Sequence, residues 1–149
     1  MINQKFAVVD LETTGNNKNK DSIIQLSIVF INNRKIVDQY STFLSDNTDL
    51  SVFIQELTNI DESMLKGAPA FKDIAAGLYE KLHDYVFVAH NVDFDLAFLQ
   101  NHFEKCHLNY SPDLSIDTVE LSKIFLPTES SFQLAEITST IGINLSNAH

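Results

Sequence analysis

Cysteine is almost missing from this chain. One thiol, Cys106, among 149 residues excludes an internal disulfide, so the fold has to be held by its core, and a lone thiol fits a reducing cytoplasm. Positive charge is scarce as well. Ten Lys and Arg stand against twenty Asp and Glu, the net charge is −10, and Arg34 is the one arginine. A basic stripe that grips a long phosphate backbone is therefore excluded. Any work on nucleic acid must go through bridging metals, a few local contacts or another domain. No apolar run approaches the ~20 residues of a membrane span, and no signal peptide precedes the first strand, so a cytoplasmic protein without a membrane partner is expected. Repeats, low-complexity tracts and interdomain linkers are also missing. The length suits one domain with a real core.

What is present is organised around Val8-Val9-Asp10-Leu11-Glu12-Thr13-Thr14-Gly15. Phe6 to Leu11 read as a buried strand, rich in β-branched and aromatic residues. A strand alternates faces, so Asp10 and Glu12 share a side, roughly 6.5–7 Å apart along the backbone. Thr-Thr-Gly then turns the chain and opens space above the strand end. Two like charges on one face of such a strand are costly without a partner. Hard oxygen ligands suit Mg²⁺ or Mn²⁺. The bland alternative is a pair of solvated acids on an edge strand.

The rest of the chain supplies a frame. Ile23 to Ile31 and Lys35 to Leu44 read as strands joined by a short Asn32-Asn33-Arg34 turn, after a polar loop over Asn16 to Ser22. The first half is thus an antiparallel meander. From Leu50 the period changes, and short helical turns follow at Val52 to Leu57 and Asp61 to Leu65, the second N-capped by Asp61. Ala70 to His83 is an amphipathic helix with Phe71, Ile74, Ala75, Leu78 and Leu82 on one stripe. Tyr85 to Ala89 is a strand, Asp93 to Phe103 a helix, Leu114 to Ile116 a weak strand, and Val119 to Phe125 a helix stopped by Pro127. Ser130 and Gln133 are spaced as a capping box for one more helix, which Gly142 ends. Strand–helix–strand crossovers set the fourth and fifth strands parallel to the first. The expected class is α/β, a mixed five-stranded sheet flanked by helices. Sites in such sheets form beyond the carboxyl ends of strands, where Asp10 and Glu12 lie.

His90-Asn91-Val92-Asp93-Phe94-Asp95 ends a strand and starts a helix. An acid in a first helical turn is stabilised by the helix dipole alone. One of these acids is also placed to serve as a third metal ligand, and His90 as a capping or core histidine. Asp93 and Asp95 lie about 200° apart around a helix, so only one of them faces the sheet end.

Asp10-Leu11-Glu12-Thr13-Thr14-Gly15 together with His90-Asn91-Val92-Asp93-Phe94-Asp95 resembles the first two motifs of the DnaQ-like (DEDDh) 3′→5′ exonuclease superfamily, which has four acidic metal ligands and a histidine. Leu57-Thr58-Asn59-Ile60 with Met64-Leu65-Lys66-Gly67-Ala68-Pro69 is similar to that family's Leu-Thr-Gly-Ile segment, with Asn59 where the family has glycine. Ile116-Asp117-Thr118 resembles its fifth strand, and Phe132 to Leu134 with Ile141 to His149 the approach to its third motif. The start at Met1 and the residues around Asn91 most resemble the N-terminal exonuclease domain of DinG-type helicase-like proteins of Gram-positive bacteria. A proofreading exonuclease of a replicative polymerase is the neighbouring alternative, and an inactive binding module of the same fold is the other.

The resemblance implies a ribonuclease H-like fold and two Mg²⁺ or Mn²⁺ ions held by Asp10, Glu12 and Asp95. His149 is implied as general base, with Thr13, His90, Leu57 and Thr58 near substrate. Asp93 falls on a variable position of the motif, and Asp117 reads as structural. The implied reaction removes 5′ mononucleotides from the 3′ end of single-stranded DNA, RNA being the alternative, in a chain fused to a C-terminal helicase-like domain. The family carries its fourth acid about five residues after the histidine, on a final helix. With the sequence ending at His149, residues 1–149 are expected to form the exonuclease domain truncated at its C-terminal end. Such a chain should fold, expose apolar surface that invites self-association, and have little or no activity.

Two further groups are weaker candidates. His102, Cys106 and His107 lack a fourth ligand for structural zinc, which leaves an exposed helix end. Phe98, Phe103 and Phe125 suit base stacking, but phenylalanine at helical spacing is more often core.

Overall fold

A computed structural model describes residues 4–47 and 49–144. Five strands form one sheet in the order β3-β2-β1-β4-β5. They are β1 (Lys5–Thr13), β2 (Ile23–Asn32), β3 (Lys35–Phe43), β4 (Val86–Ala89) and β5 (Ser115–Asp117). The helices are α1 (Val52–Thr58), α2 (Glu62–Leu65), α3 (Phe71–Leu82), α4 (Val92–Lys105), α5 (Thr118–Phe125) and α6 (Leu134–Thr140). β1 pairs antiparallel with β2 and β2 with β3, whereas β4 runs parallel to both β1 and β5. The meander and the parallel half therefore meet along β1, which makes it the central strand.

Alternation sorts the side chains of β1. Ala7, Val9, Leu11 and Thr13 are buried, while Val8 and Asp10 are open and Glu12 is half-buried. On β2 the same rule buries Leu26, Ile28 and Phe30. This inner face packs against Phe71, Ala75, Leu78 and Leu82 of α3 and Phe98, Leu99 and Phe103 of α4. The rings meet edge to face, as between Phe71 and Phe103 with centroids 5.2 Å apart, a geometry the ring quadrupole favours. A smaller cluster of Ile24, Leu50, Ile54, Ile60 and Leu65 seats α1 and α2 beside the end of β2.

Left-handed backbone appears where turns need it. Asn33 and Arg34, at φ 50° and 63°, make the β2–β3 turn, both residues positive as a tight hairpin with matching twist requires. Asn59, in the place of a glycine, is left-handed at φ 55° and caps α1. Asparagine reaches this region more readily than other side-chain residues, so the substitution keeps the glycine-type backbone.

Three sequence expectations change. Ser130 and Gln133 do not form a capping box, because Gln133 is itself the N-cap of α6 and makes no side-chain cap bond. The helix therefore starts one turn later than that spacing assumes. His102 is buried rather than placed at an exposed helix end, because the inward stripe of α4 continues through His102 and Phe103. Phe98 and Phe103 are core, but Phe125 is 75% exposed. It shares the open surface with Ile124 of its own helix.

Candidate active site

The carboxyl end of β1 carries the first two acids. Asp10 lies opposite Ser27 and Glu12 opposite Gln25, and the register then slips, so that Thr13 pairs with Ile23. A bulge of this kind adds local twist and re-aims the neighbouring side chains. Thr13 is buried, and its hydroxyl donates to the Gly15 carbonyl at 2.7 Å. It thus braces the turn.

The third acid arrives on α4. Asp95 is buried, 6% exposed, whereas Asp93 is open to solvent. The pKa of Asp95 is pushed up to about 7, first by burial and then by the charge of Asp10, with a smaller contribution from Glu12. Hydrogen bonds from the backbone N–H groups of Asp95 and Leu11 pull the other way. Two acids of β1 and one of α4 therefore repel one another across the end of the sheet. Among the described residues, no group of three or more His, Cys, Asp or Glu side chains stands close enough to hold a metal ion. The donor set is nonetheless all hard oxygen and carries an excess of negative charge. That is what a divalent cation relieves, so the residues fit such an ion.

The start of α4 is held from outside. Asn91 is left-handed at φ 73° and makes no cap bond of its own. Asp117, at the end of β5, supplies the missing acceptor. Its carboxylate takes the Asn91 N–H at 3.0 Å and the Val92 N–H at 3.3 Å, and caps α5 through the Val119 N–H at 2.8 Å.

His90 is occupied on both ring nitrogens. Nε2 lies 2.9 Å from the Phe132 carbonyl and Nδ1 2.9 Å from the Thr118 hydroxyl. A carbonyl only accepts, so Nε2 carries a proton. His90 thus ties the end of β4 to α5 and to the segment before α6. Thr58 is buried, its hydroxyl donating to the Ile54 carbonyl at 2.8 Å and accepting the Ile60 N–H at 3.2 Å. Leu57 beside it is 61% exposed, so of the two it is Leu57 that faces solvent. His149 lies outside the described residues. His102, Cys106 and His107 do not form a metal cluster among the described residues. The His102 ring instead bonds the Phe98 carbonyl at 2.9 Å.

Sequence reasoning missed Thr118 and Phe132. Phe132 contributes a backbone carbonyl, which no residue identity announces.

Residues 7–149 match the family model RNase T, described as exonuclease. The 3′-5′ exonuclease DinG of Staphylococcus aureus is 49% identical over 144 residues, which is 97% of this chain and 16% of that protein. The chain thus spans about a sixth of the length of the curated relatives it matches. Among solved structures, the nuclease domain of 3′hExo, a DEDDh family member bound to rAMP, superposes with a TM-score of 0.80 at 19% identity, over 99% of this chain and 83% of that one. The zinc-bound complex of E. coli ExoI with single-stranded DNA gives 0.85 at 18%, over 98% and 37%. At such identities the likeness shows the fold, which is the ribonuclease H-like arrangement of a mixed sheet with helices.

Proposed function

The chain belongs to the RNase T exonuclease family and is a 3′→5′ exonuclease domain; from this we propose that it removes 5′ mononucleotides from the 3′ end of single-stranded DNA with two Mg²⁺ or Mn²⁺ ions, as one domain of a larger cytoplasmic DinG-type protein with a helicase-like part. The observation that carries this reading is the burial of Asp95 against Asp10 and Glu12. A buried Asp95 that feels the charges of Asp10 and Glu12 from another element serves no packing purpose. Members of the family generally use divalent metal, and here Asp10, Glu12 and Asp95 would hold it. When bound, it would supply an activated water and charge stabilisation at the leaving 3′ oxygen.

The chain's own residues do the rest. Asp95 enters from the parallel half of the sheet, so the site is whole only when both halves are joined. Thr13 and His90 shape the walls through their bonds to Gly15, Thr118 and Phe132. Leu57 offers an exposed apolar surface to a base. His149 would take the proton of the attacking water, since an imidazole titrates near neutral pH. The acidic chain has few cations to hold a strand, which suits an appended domain whose partner grips the DNA.

The test is Asp10→Ala in the full-length protein. Degradation of a 3′-labelled strand with Mn²⁺ should be lost while circular dichroism is unchanged. A variant that works near the wild-type rate overturns the reading. Comparing DNA with RNA of the same sequence assigns the sugar preference, because that choice depends on contacts to the 2′ position.

A further inference from the structure

The turn that follows β1 is built around a close approach of Gly15 and Asp21. Gly15 does not adopt a positive φ, which among the glycines belongs to Gly67 and Gly142. Its need for glycine is one of space. A Cβ placed on Gly15 would lie 2.5 Å from Oδ2 of Asp21, 2.7 Å from Cγ and 2.9 Å from Oδ1. The whole carboxylate head is therefore seated on the Gly15 backbone. It cannot swing away without loss, because Oδ2 accepts the Asn17 N–H at 2.8 Å. The Asp21 N–H returns a bond to the Asn17 carbonyl at 2.7 Å. Thr14 closes the loop. Its N–H donates to the Ser22 carbonyl and its hydroxyl accepts the Ser22 N–H, both at 2.9 Å. The Thr13 hydroxyl ties the first residue of the turn to the Gly15 carbonyl. Glu12 immediately precedes this knot, and the register slip between β1 and β2 falls on the bond between Glu12 and Thr13.

We propose that Asp21 is a positioning residue of the site: seated on Gly15, it fixes the turn over residues 13–17 and so holds Glu12 and Thr13 in place against Asp95. The inference rests on the function proposed above. Asp21 touches neither ion nor strand. It acts by pre-organising a ligand, and a supporting shell of this kind governs how tightly a site binds. Losing it leaves every proposed ligand in place, but Glu12 then has to be ordered at the moment of binding. The effect should appear in affinity for the ion and for the strand end more than in the rate at saturation.

The experiment combines Asp21→Ala, Asp21→Asn, Gly15→Ala and the double change Gly15→Ala with Asp21→Gly, in the full-length protein. Mn²⁺ affinity is read by calorimetry and by the Mn²⁺-induced rise in melting temperature, with KM and kcat beside them. Asp21→Ala should raise the half-saturating Mn²⁺ concentration and KM about tenfold, the low end of the range for a supporting residue, with kcat at saturating Mn²⁺ changed less than about threefold. Asp21→Asn keeps an acceptor for the Asn17 N–H and should recover most of the affinity. Gly15→Ala should be the worst single change, and removing the Asp21 side chain should restore part of what it loses. If Asp21→Ala binds Mn²⁺ and strand as the wild type does, or if the two positions act independently, the inference fails. Should Asp21→Ala not fold, the Asn variant and the double change decide on the same criteria. Asp10→Ala is measured alongside. A fully active Asp10→Ala indicts the site itself, whereas a dead Asp10→Ala beside an unaffected Asp21→Ala indicts only the role of Asp21.

Discussion

The carboxylate of Asp117 caps Asn91, a residue 26 positions earlier in the chain, by accepting its N–H at 3.0 Å. The end of β5 thereby fixes the first turn of the helix that carries Asp95. One side chain serves two helix starts, with charge-assisted bonds to Asn91, Val92 and Val119. Losing an N-cap costs roughly 0.5–2 kcal/mol, so Asp117→Ala should lower stability by about 2–3 kcal/mol. It should also weaken Mn²⁺ binding, although Asp117 is not a proposed ligand. Urea denaturation gives the first quantity and calorimetry the second.

Asp95→Asn and Asp93→Asn should behave oppositely. Replacing the buried Asp95 removes one of three mutually repelling acids. Without metal that variant should therefore be more stable than wild type at pH 8, by roughly 1–3 kcal/mol given about 1.4 kcal/mol per pKa unit. It should also lose the Mn²⁺-induced rise in melting temperature, along with activity. Asp93→Asn, on the solvent side of the same turn, should keep both. A dead Asp93 variant beside an active Asp95 variant reverses the assignment.

Acid should loosen the core at His102. Burial holds its pKa below the ordinary value of 6.5, and the nearby Lys105 adds to this, while the Phe98 carbonyl and Asp46 oppose it. Nδ1–H donates to that carbonyl, so Nε2 faces the Ile23 N–H as acceptor. Protonation would set two donors against each other. A depressed folded pKa means that the stabilisation is complete above pH 6.5 and is lost as the pH falls through the folded value. Between pH 7.5 and 5.5 the unfolding free energy should drop by about 1 kcal/mol from this group. His102→Gln should flatten that part of the profile while lowering stability at both pH values.

Asn59 tests the backbone at the end of α1. A left-handed residue with a Cβ costs roughly 1–2 kcal/mol, and asparagine meets the requirement better than most. Asn59→Gly should leave the urea midpoint unchanged or raised. Asn59→Ala should lower stability by about 1 kcal/mol.

The elements and the acids were readable in the sequence because both depend on short-range periodicity. Alternation placed Asp10 and Glu12 on one face; helical angle allowed only one of Asp93 and Asp95 to face the sheet end, and the family resemblance chose Asp95. The Asn33-Arg34 turn marked the meander. What stayed hidden depends on residues brought together from far apart. The bond of His90 to Phe132 spans 42 positions and ends on a backbone carbonyl. Gly15 reads as a turn glycine, although its reason is the volume taken by Asp21. His102 invites a metal or surface reading because its neighbours Cys106 and His107 are ligand types. The packing of α4 overrides that signal by turning the ring inward. Phe125 fails in the other direction, since a helical stripe does not tell whether anything lies against it.

The seam between the two halves of the sheet is short. Among the described residues, β1 meets β4 through Phe6, Ala7 and Val8 opposite Val86, Phe87 and Val88, while its ladder with β2 runs from Lys5 to Thr13. Local openings follow weakly supported ladders, so β1 should part from β4 before it parts from β2. That same opening carries Asp95 away from Asp10. An ion shared by these residues would act as a clasp across the seam, and its binding energy would be felt as slower opening there. Hydrogen exchange should show it: the Phe87 N–H donates to the Leu114 carbonyl on the β5 side, so alternation turns the Val88 N–H toward β1, and Mn²⁺ ought to protect the Val88 amide by a larger factor than those of β2 and β3, a difference that Asp95→Asn should abolish.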